Sequence, residues 1–190
     1  MSQFITIFVK IVKHKTPSIM KKHLLLILCT LFISASLNAQ SNSSQHLTFL
    51  GIPINGPIAT FQKKLIAKGF KYDQDNSRAF EEPIRFFNGK YAGEDALLIV
   101  QYIRNPNLVY SVCVTISKST ESEVINLYNH FKSNLEEKYN TEAIYYEDKA
   151  FLIVGNGIIR IFYSETTDDT YTLYINYHDA INTDKANENE

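Results

Sequence analysis

Few side chains in this sequence combine the types and the spacing that enzyme chemistry needs. A cysteine nucleophile requires a base beside it, and Cys113 has only His130 or His178 as candidate partners. Cys113 lies between Val112 and Val114 in a predicted strand, where a free cysteine usually packs as a small apolar residue. The sequence therefore favours a structural role for this thiol.

Metal-ligand spacing is also missing. The sequence has no His-x-His and no Cys-x-x-Cys, so a zinc site would have to combine His46, His130 and His178 from distant segments. The regular aspartate spacing of a calcium loop is absent as well. We predict no metal and no cofactor, and we interpret His130, next to Phe131, as a surface or packing residue.

Adjacent carboxylates are frequent, but their spacing does not indicate an acid–base pair. General acid–base catalysis needs two carboxylates that face each other across a cleft, whereas neighbours in the chain point apart. Four of the five pairs fall in predicted loops or turns, so we interpret them as solvent-exposed surface charge. The pairs are Glu81-Glu82, Glu94-Asp95, Glu136-Glu137, Glu147-Asp148 and Asp168-Asp169.

One glycine-rich segment, Gly155-Asn156-Gly157, resembles half of a phosphate-binding loop. It lies between two predicted strands rather than before a helix, which favours a hairpin turn. Gly-x-Ser-x-Gly, Walker and His-Glu-x-x-His motifs are absent from the sequence. The motifs therefore favour a protein that is not an enzyme.

The first 39 residues have the charge pattern of a targeting segment, since they contain no Asp or Glu but carry five lysines. From Met20 the chain runs through a basic stretch, an apolar stretch at 24–33 and small residues up to Ala39, which is the order found in signal peptides. We expect export with cleavage after Ala39, and we expect Met20 to be the true start.

Two membrane-anchored alternatives fit this segment less well. Ser34 and Asn38 interrupt the apolar run before it reaches the ~20 residues that a membrane-spanning helix requires. Cys29 follows Leu28 rather than the small residue of a lipoprotein cleavage site. We therefore expect a periplasmic or extracellular protein with no stable membrane anchor after cleavage.

Cleavage would change the charge of the chain. It removes five of the 19 basic side chains and none of the 20 acidic ones, so the formal charge of the remainder is −6. No cluster of Lys and Arg remains that could neutralise several phosphates, which argues against a nucleic-acid partner. Loss of Cys29 also leaves Cys113 without a disulfide partner, so stability must come from core packing.

The remainder is predicted to form a single domain over residues 47–181, with a flexible lead-in at 40–46 and a disordered tail at 182–190. A first helix is predicted over about 57–68, and its apolar face carries Ile58, Phe61, Leu65 and Ile66. A second helix is predicted from about Glu121 to Tyr139, because Thr120 and Glu123 have capping-box spacing.

Six strands are predicted from runs of β-branched and aromatic residues between turn signals. They cover 84–92, 96–104, 108–117, 143–154, 157–164 and 171–178. This order gives two helix-β-β-β units and predicts an α+β fold, in which an antiparallel sheet of about six strands has two helices packed on one face. Two separate sheets are the alternative, but each half alone would have only a marginal core.

The opposite sheet face would be open, and its residues are the candidate binding site. In the last strand Thr172 and Tyr174 alternate with apolar residues, as Arg160 and Phe162 do in the strand before it. The predicted face carries Gln101, Thr115, Arg160, Phe162, Thr172 and Tyr174. A mixed aromatic and polar face is typical of protein-binding surfaces, but a merely solvated antiparallel face would have a similar pattern.

Several segments resemble a known group of proteins. Phe49-Leu50-Gly51-Ile52-Pro53-Ile54-Asn55-Gly56-Pro57 is similar to the opening of uncharacterised secreted proteins of gut and oral Bacteroidetes, and the end Tyr177-His178-Asp179-Ala180-Ile181-Asn182 is similar as well. The duplicated layout resembles the β-lactamase inhibitor protein and small outer-membrane assembly lipoproteins. That resemblance implies binding to other proteins through sheet and loop surfaces, and it implies no catalytic residues.

The sequence thus predicts an exported, non-enzymatic binding module whose partner is another envelope or extracellular protein. The alternative is a small-ligand binder or a hydrolase with a site assembled from loops. A deep pocket lined by converging Asp, Glu or His side chains would favour that alternative.

Overall fold

A computed structural model of the chain describes residues 45–166 and 170–187. The predicted signal region and most of the lead-in lie outside these ranges, as does Asp168-Asp169. The helices are α1 (Ile58–Ala67), α2 (Gln74–Ala79), α3 (Glu121–Tyr139) and α4 (Ala180–Asn187). The strands are β1 (Thr48–Phe49), β2 (Ile52–Pro53), β3 (Lys71–Asp73), β4 (Ile84–Tyr91), β5 (Glu94–Ile103), β6 (Leu108–Lys118), β7 (Ile144–Tyr146), β8 (Lys149–Val154), β9 (Gly157–Glu165) and β10 (Tyr171–Asp179).

Eight strands form one antiparallel sheet in the order β3-β4-β5-β6-β10-β9-β8-β7, and β1 and β2 form a separate hairpin. Each half of the sheet is a four-stranded meander preceded by a long helix, α1 in one half and α3 in the other. The two halves meet where β6 pairs with β10. The α+β class with a large antiparallel sheet is confirmed.

The predicted six strands and helix-β-β-β units are wrong, because each half contains one more short strand. The first is β3, which lies between the predicted first helix and the first predicted strand and leads directly into α2. Asp73 caps α2 by accepting a hydrogen bond from the backbone N–H of Asn76 at 3.1 Å. Three residues are too few for a period-two pattern to appear in the sequence.

The second extra strand comes from residues 143–154, expected as one strand although the polar residues Glu147, Asp148 and Lys149 interrupt its apolar run. That interruption is a turn at Glu147-Asp148, where Glu147 has a φ of 53°, and the chain reverses there to form the β7–β8 hairpin. The turn interpretation of Gly155-Asn156-Gly157 is confirmed, since Val154 pairs with Gly157 across it. Ala92 and Gly93, both at positive φ, make a similar two-residue turn between β4 and β5.

The two long helices form where the sequence predicts them. α3 has the capping box in full: Thr120 Oγ1 accepts from the Glu123 N–H at 3.3 Å, and the Thr120 N–H donates to the Glu123 carboxylate at 3.1 Å. α1 ends before Gly69, which has a φ of 94°. Ile66, predicted on the apolar face of this helix, is 48% exposed and lies outside the core.

One contiguous apolar core contains the buried side chains of α1 and α3 together with alternate residues of the sheet strands. The helices contribute Ile58, Phe61, Leu65, Val124, Phe131 and Leu135. The central strands contribute Leu98, Val100, Val112, Val114, Leu173, Ile175 and Tyr177. The residues between these on each strand therefore face the other side of the sheet.

The expected disordered tail is wrong for residues 182–187, which belong to α4. Asn182 is fully buried, and its side-chain amide donates to the carbonyls of Ile54 and Val109, both at 3.0 Å. These long-range bonds hold the helix against the rest of the domain. Among the described residues, no helix is both long and apolar enough to cross a membrane.

Candidate binding surface on the open sheet face

The sheet brings four of the six predicted surface residues together on the face away from the core. Tyr174 of β10 lies opposite Thr115 of β6 and opposite Phe162 of β9. The Phe162 and Tyr174 rings stack with centroids 4.9 Å apart and an angle of 11° between their planes. The Arg160 guanidinium carbon lies 5.2 Å from the centre of the Phe162 ring. Arg160, Phe162 and Tyr174, named here the aromatic platform, combine two stacked rings with a cation.

The other two predicted residues do not join this platform as free groups. Thr172 is close to it in β10 but is only 6% exposed, and its hydroxyl lies 2.9 Å from that of Ser117. Gln101 lies further along the sheet, where it pairs with Ser111. The alternation of residues along each strand is therefore enough to predict which side of the sheet these residues occupy. Which of them lie close together depends on the order of the strands in the sheet.

Sequence reasoning missed an apolar patch next to the platform. It consists of Ile144, Phe151, Ile153 and Ile158, and three of these are strongly exposed: Ile144 and Ile153 at 58% and Ile158 at 42%. Phe151 lies opposite both Ile144 and Arg160, so the patch and the platform are continuous across β7, β8 and β9. In a single strand, Ile144 and Phe151 would point to opposite faces; the β7–β8 hairpin puts them on the same one.

The half of the open face formed by β3, β4 and β5 has a different chemistry. It contains a hollow of about 820 Å³ lined mainly by polar and basic residues. Among them are Lys71, Asn88 and Lys90, and Lys90 pairs with Asp95 at 3.0 Å. The two halves of the face thus differ, because lysines line the hollow in one half, whereas the other half carries the apolar patch and the aromatic platform.

The thiol of Cys113 lies on this face, half-buried, opposite Asn176. Burial raises the pKa of Cys113 to about 12, although Arg160 lowers it in part, so the nucleophilic thiolate is scarce at neutral pH. His178 is two residues from Asn176, and burial lowers its pKa, with Arg160 adding to the effect. His130 lies on α3, exposed, and bonds to Asn134 at 3.0 Å. These positions support the structural interpretation of Cys113.

The acidic pairs in the described ranges do not converge on a common point. Three of them pair with lysines: Glu94 with Lys118 at 2.7 Å, Glu136 with Lys132 at 2.8 Å, and Glu147 with Lys149 at 3.3 Å. The Lys132 side chain and the Ala143 N–H bond to Glu136 and lower its pKa. These carboxylates therefore act as surface ion-pair partners.

No group of three or more His, Cys, Asp or Glu side chains within residues 45–166 and 170–187 is arranged to hold a metal ion. Of the three candidate histidines, His46 bonds to Asp179, His130 is on α3, and His178 is in β10.

Comparison of the chain with known proteins gives no match among protein-family models, curated proteins or solved structures.

Proposed function

We propose that this chain is an exported, non-enzymatic binding module and that its contact surface is the open sheet face. The partner is another envelope or extracellular protein. The signal-like residues 1–39 and the absence of catalytic motifs support this proposal. We also propose kinship with the secreted Bacteroidetes proteins that the Gly51-Ile52-Pro53 segment resembles.

The observation that carries the proposal is the concentration of exposed apolar side chains in one place. Among the described residues, seven large hydrophobic side chains are exposed, and four of them lie on the open face of β7, β8 and β9: Ile144, Tyr146, Ile153 and Ile158. Exposed apolar groups gathered next to polar ones mark interaction sites more often than scattered ones do. The apolar patch provides area to bury, and the aromatic platform beside it provides rings already held in place by stacking.

The surroundings of Arg160 indicate which chemical groups the partner protein would contribute. Its Nε is buried and, within the described part of the chain, has no hydrogen-bond acceptor. The remainder of this half-buried guanidinium group reaches the surface. A partner that supplies an apolar side chain to the patch and a carboxylate or carbonyl oxygen to the exposed part of the guanidinium group would match the apolar and the charged part of this surface.

The alternative, a small-ligand binder or a hydrolase with a site assembled from loops, has less support. The residues that line the hollow beside Lys71 include one carboxylate, Asp95, which is already paired with Lys90. Two smaller hollows each contain two carboxylates, but Glu136 in one is paired with Lys132, and Glu147 and Asp148 in the other lie within 4 Å of Lys149. Hydrolysis by paired carboxylates would need two that face each other.

A pull-down from envelope extract tests the proposal. The bait is the protein with Arg160, Phe162 and Tyr174 replaced by alanine, compared with the unchanged protein. The matched control replaces Lys71 and Asn88, which lie on the same sheet face in the other half. We expect the platform variant alone to lose a specific partner while keeping its urea unfolding midpoint. Identical partners for all three baits would count against this face.

A second measurement tests export. Fractionation of cells should place the protein in the periplasm or medium, and its N-terminus should be Gln40. Recovery from the cytoplasm with residues 1–39 attached would overturn that part of the proposal.

A further inference from the structure

The two edges of the eight-stranded sheet are protected to different degrees. At one edge β3 carries Lys71 and leads directly into α2, which packs against β4. At the other edge β7 consists of Ile144, Tyr145 and Tyr146, all exposed, with no lysine or proline among them. Within the described residues, no strand pairs with the outer side of β7. Native edge strands are usually protected by such residues or by being short. β7 is short, with three residues, but it carries neither lysine nor proline, so its outer backbone groups are open to a further strand.

Tyr145 also lines a hollow on the core side of this edge. The hollow measures about 370 Å³ and is lined by Tyr128, Tyr145, Glu147, Asp148 and Tyr163. Tyr128 of α3 and Tyr163 of β9 meet edge to face with their ring centroids 5.7 Å apart. Three tyrosine rings with two carboxylates are the kind of surroundings that attract an ammonium or guanidinium group.

The protein already places one cation against this ring. Lys132 Nζ lies 5.9 Å from the centre of the Tyr145 ring and pairs with Glu136 at 2.8 Å. Lys132 and Tyr145 line a separate hollow of about 640 Å³, together with Glu136 and Glu142. Tyr145 therefore stands between two hollows that both contain carboxylates.

The charges next to β7 indicate whether a second copy of this strand or a basic segment of another protein would pair with it. Glu142 precedes β7, and Glu147 and Asp148 follow it, where Lys149 lies 3.3 Å from Glu147 and 3.8 Å from Asp148. The ammonium of Lys132, also near this edge, is paired with a further carboxylate, Glu136. A second copy of this strand, paired antiparallel about Tyr145, would set Glu142 opposite Asp148. Like charges directly opposite each other destabilise strand pairing, so the edge disfavours a second copy and favours a basic segment.

We propose that β7 accepts an extended, basic segment of a partner protein as a ninth strand, with a Lys or Arg side chain in the hollow of Tyr128, Tyr145 and Tyr163. The partner residue opposite Tyr145 shares its face of the sheet and enters the hollow. The residues before and after it point to the other face, next to Ile144 and Tyr146. This site is distinct from the aromatic platform, so either can fail without the other.

The test uses a synthetic peptide, acetyl-Lys-Val-Lys-Val-Lys-amide, and a control peptide with Glu in place of each Lys. Each is titrated against the ¹⁵N-labelled protein while backbone amide signals are followed. We expect the basic peptide to shift the signals of residues 144–146 and the acidic peptide to leave them in place. N-methylation of one alternate set of peptide amides should abolish binding, and methylation of the other set should not, because a strand bonds through one edge.

Two variants distinguish binding in the hollow from nonspecific attraction between the basic peptide and the carboxylates of the protein. Tyr145→Ala should weaken binding of the basic peptide about tenfold. Glu82→Gln, an exposed carboxylate in the other half, should leave it unchanged. The proposal is overturned by equal binding of both peptides, by insensitivity to N-methylation, by shifts that centre on β3, or by no shift at about millimolar peptide. Self-association of the protein that Tyr145→Ala abolishes would also overturn it, by assigning the edge to a second copy.

Discussion

The imidazole Nδ1 of His46 lies 3.0 Å from Oδ1 of Asp179 and joins the segment before β1 to the end of β10. The Asp179 side chain is fully buried. Its Oδ2 accepts from the Leu47 N–H at 2.8 Å, and its Oδ1 accepts from the Asn182 N–H at 3.1 Å. One carboxylate thus caps α4 and holds the N-terminal segment, so His46, expected in the flexible lead-in, is instead fixed.

Asp179→Ala should destabilise the domain by about 2–4 kcal/mol, because it leaves two backbone N–H groups without an acceptor in the interior. Equilibrium unfolding in urea measures the loss. Asp184→Ala, an exposed carboxylate on the same helix, is the control and should change the free energy of unfolding by no more than about 0.5 kcal/mol. Equal effects of the two replacements would contradict the role assigned to Asp179.

The hydroxyls of Tyr91 and Tyr177 form a buried hydrogen bond of 2.7 Å between β4 and β10. Tyr91→Phe should cost about 1–2 kcal/mol, since it leaves the Tyr177 hydroxyl unpaired in the core. In the Tyr91→Phe background, Tyr177→Phe should cost less free energy of unfolding than in the unchanged protein, because neither hydroxyl of this pair is then left without its partner. A double-mutant cycle of unfolding free energies measures this coupling, and strictly additive losses would contradict it.

Cys113 should be almost inert to alkylation in the folded protein. With its pKa raised from 9.0 to about 12 by burial, its thiolate fraction near neutral pH falls about a thousandfold. Iodoacetamide labelling of a Cys29→Ser chain, which has a single thiol, should be slow in buffer, faster as pH rises and rapid in urea. Equal rates in buffer and urea at neutral pH would contradict the protection of this thiol by burial.

Gly89 makes room for Phe70 on the core side of β4. A Cβ at this position would lie 2.5 Å from Cδ1 of the Phe70 ring. Gly89→Ala should therefore destabilise the domain by about 1–3 kcal/mol through overpacking. Thermal unfolding measures the loss, and Phe70→Leu in the same chain should restore part of it. A neutral effect of the single replacement would show that the ring moves freely.

Local patterns in the sequence determined the two long helices and which residues of each strand share a face. The capping box of Thr120 and Glu123 defines the start of α3 because both partners lie within one turn. Alternation placed Arg160, Phe162 and Tyr174 on the side away from the core because side-chain direction in a strand has a period of two. Such features depend on neighbours in the chain, so they are visible without the fold.

Only the tertiary structure decided what depends on distant partners. The pairing of β6 with β10 brings Thr115 beside Tyr174, and the β7–β8 hairpin turns Ile144 onto the face of Phe151. The C-terminal residues are polar enough to suggest disorder, yet α4 is held by bonds from Asn182 to Ile54 and Val109. The composition of one segment does not reveal such long-range contacts. Each contact contributes free energy only after two segments that are distant in the chain have been brought together.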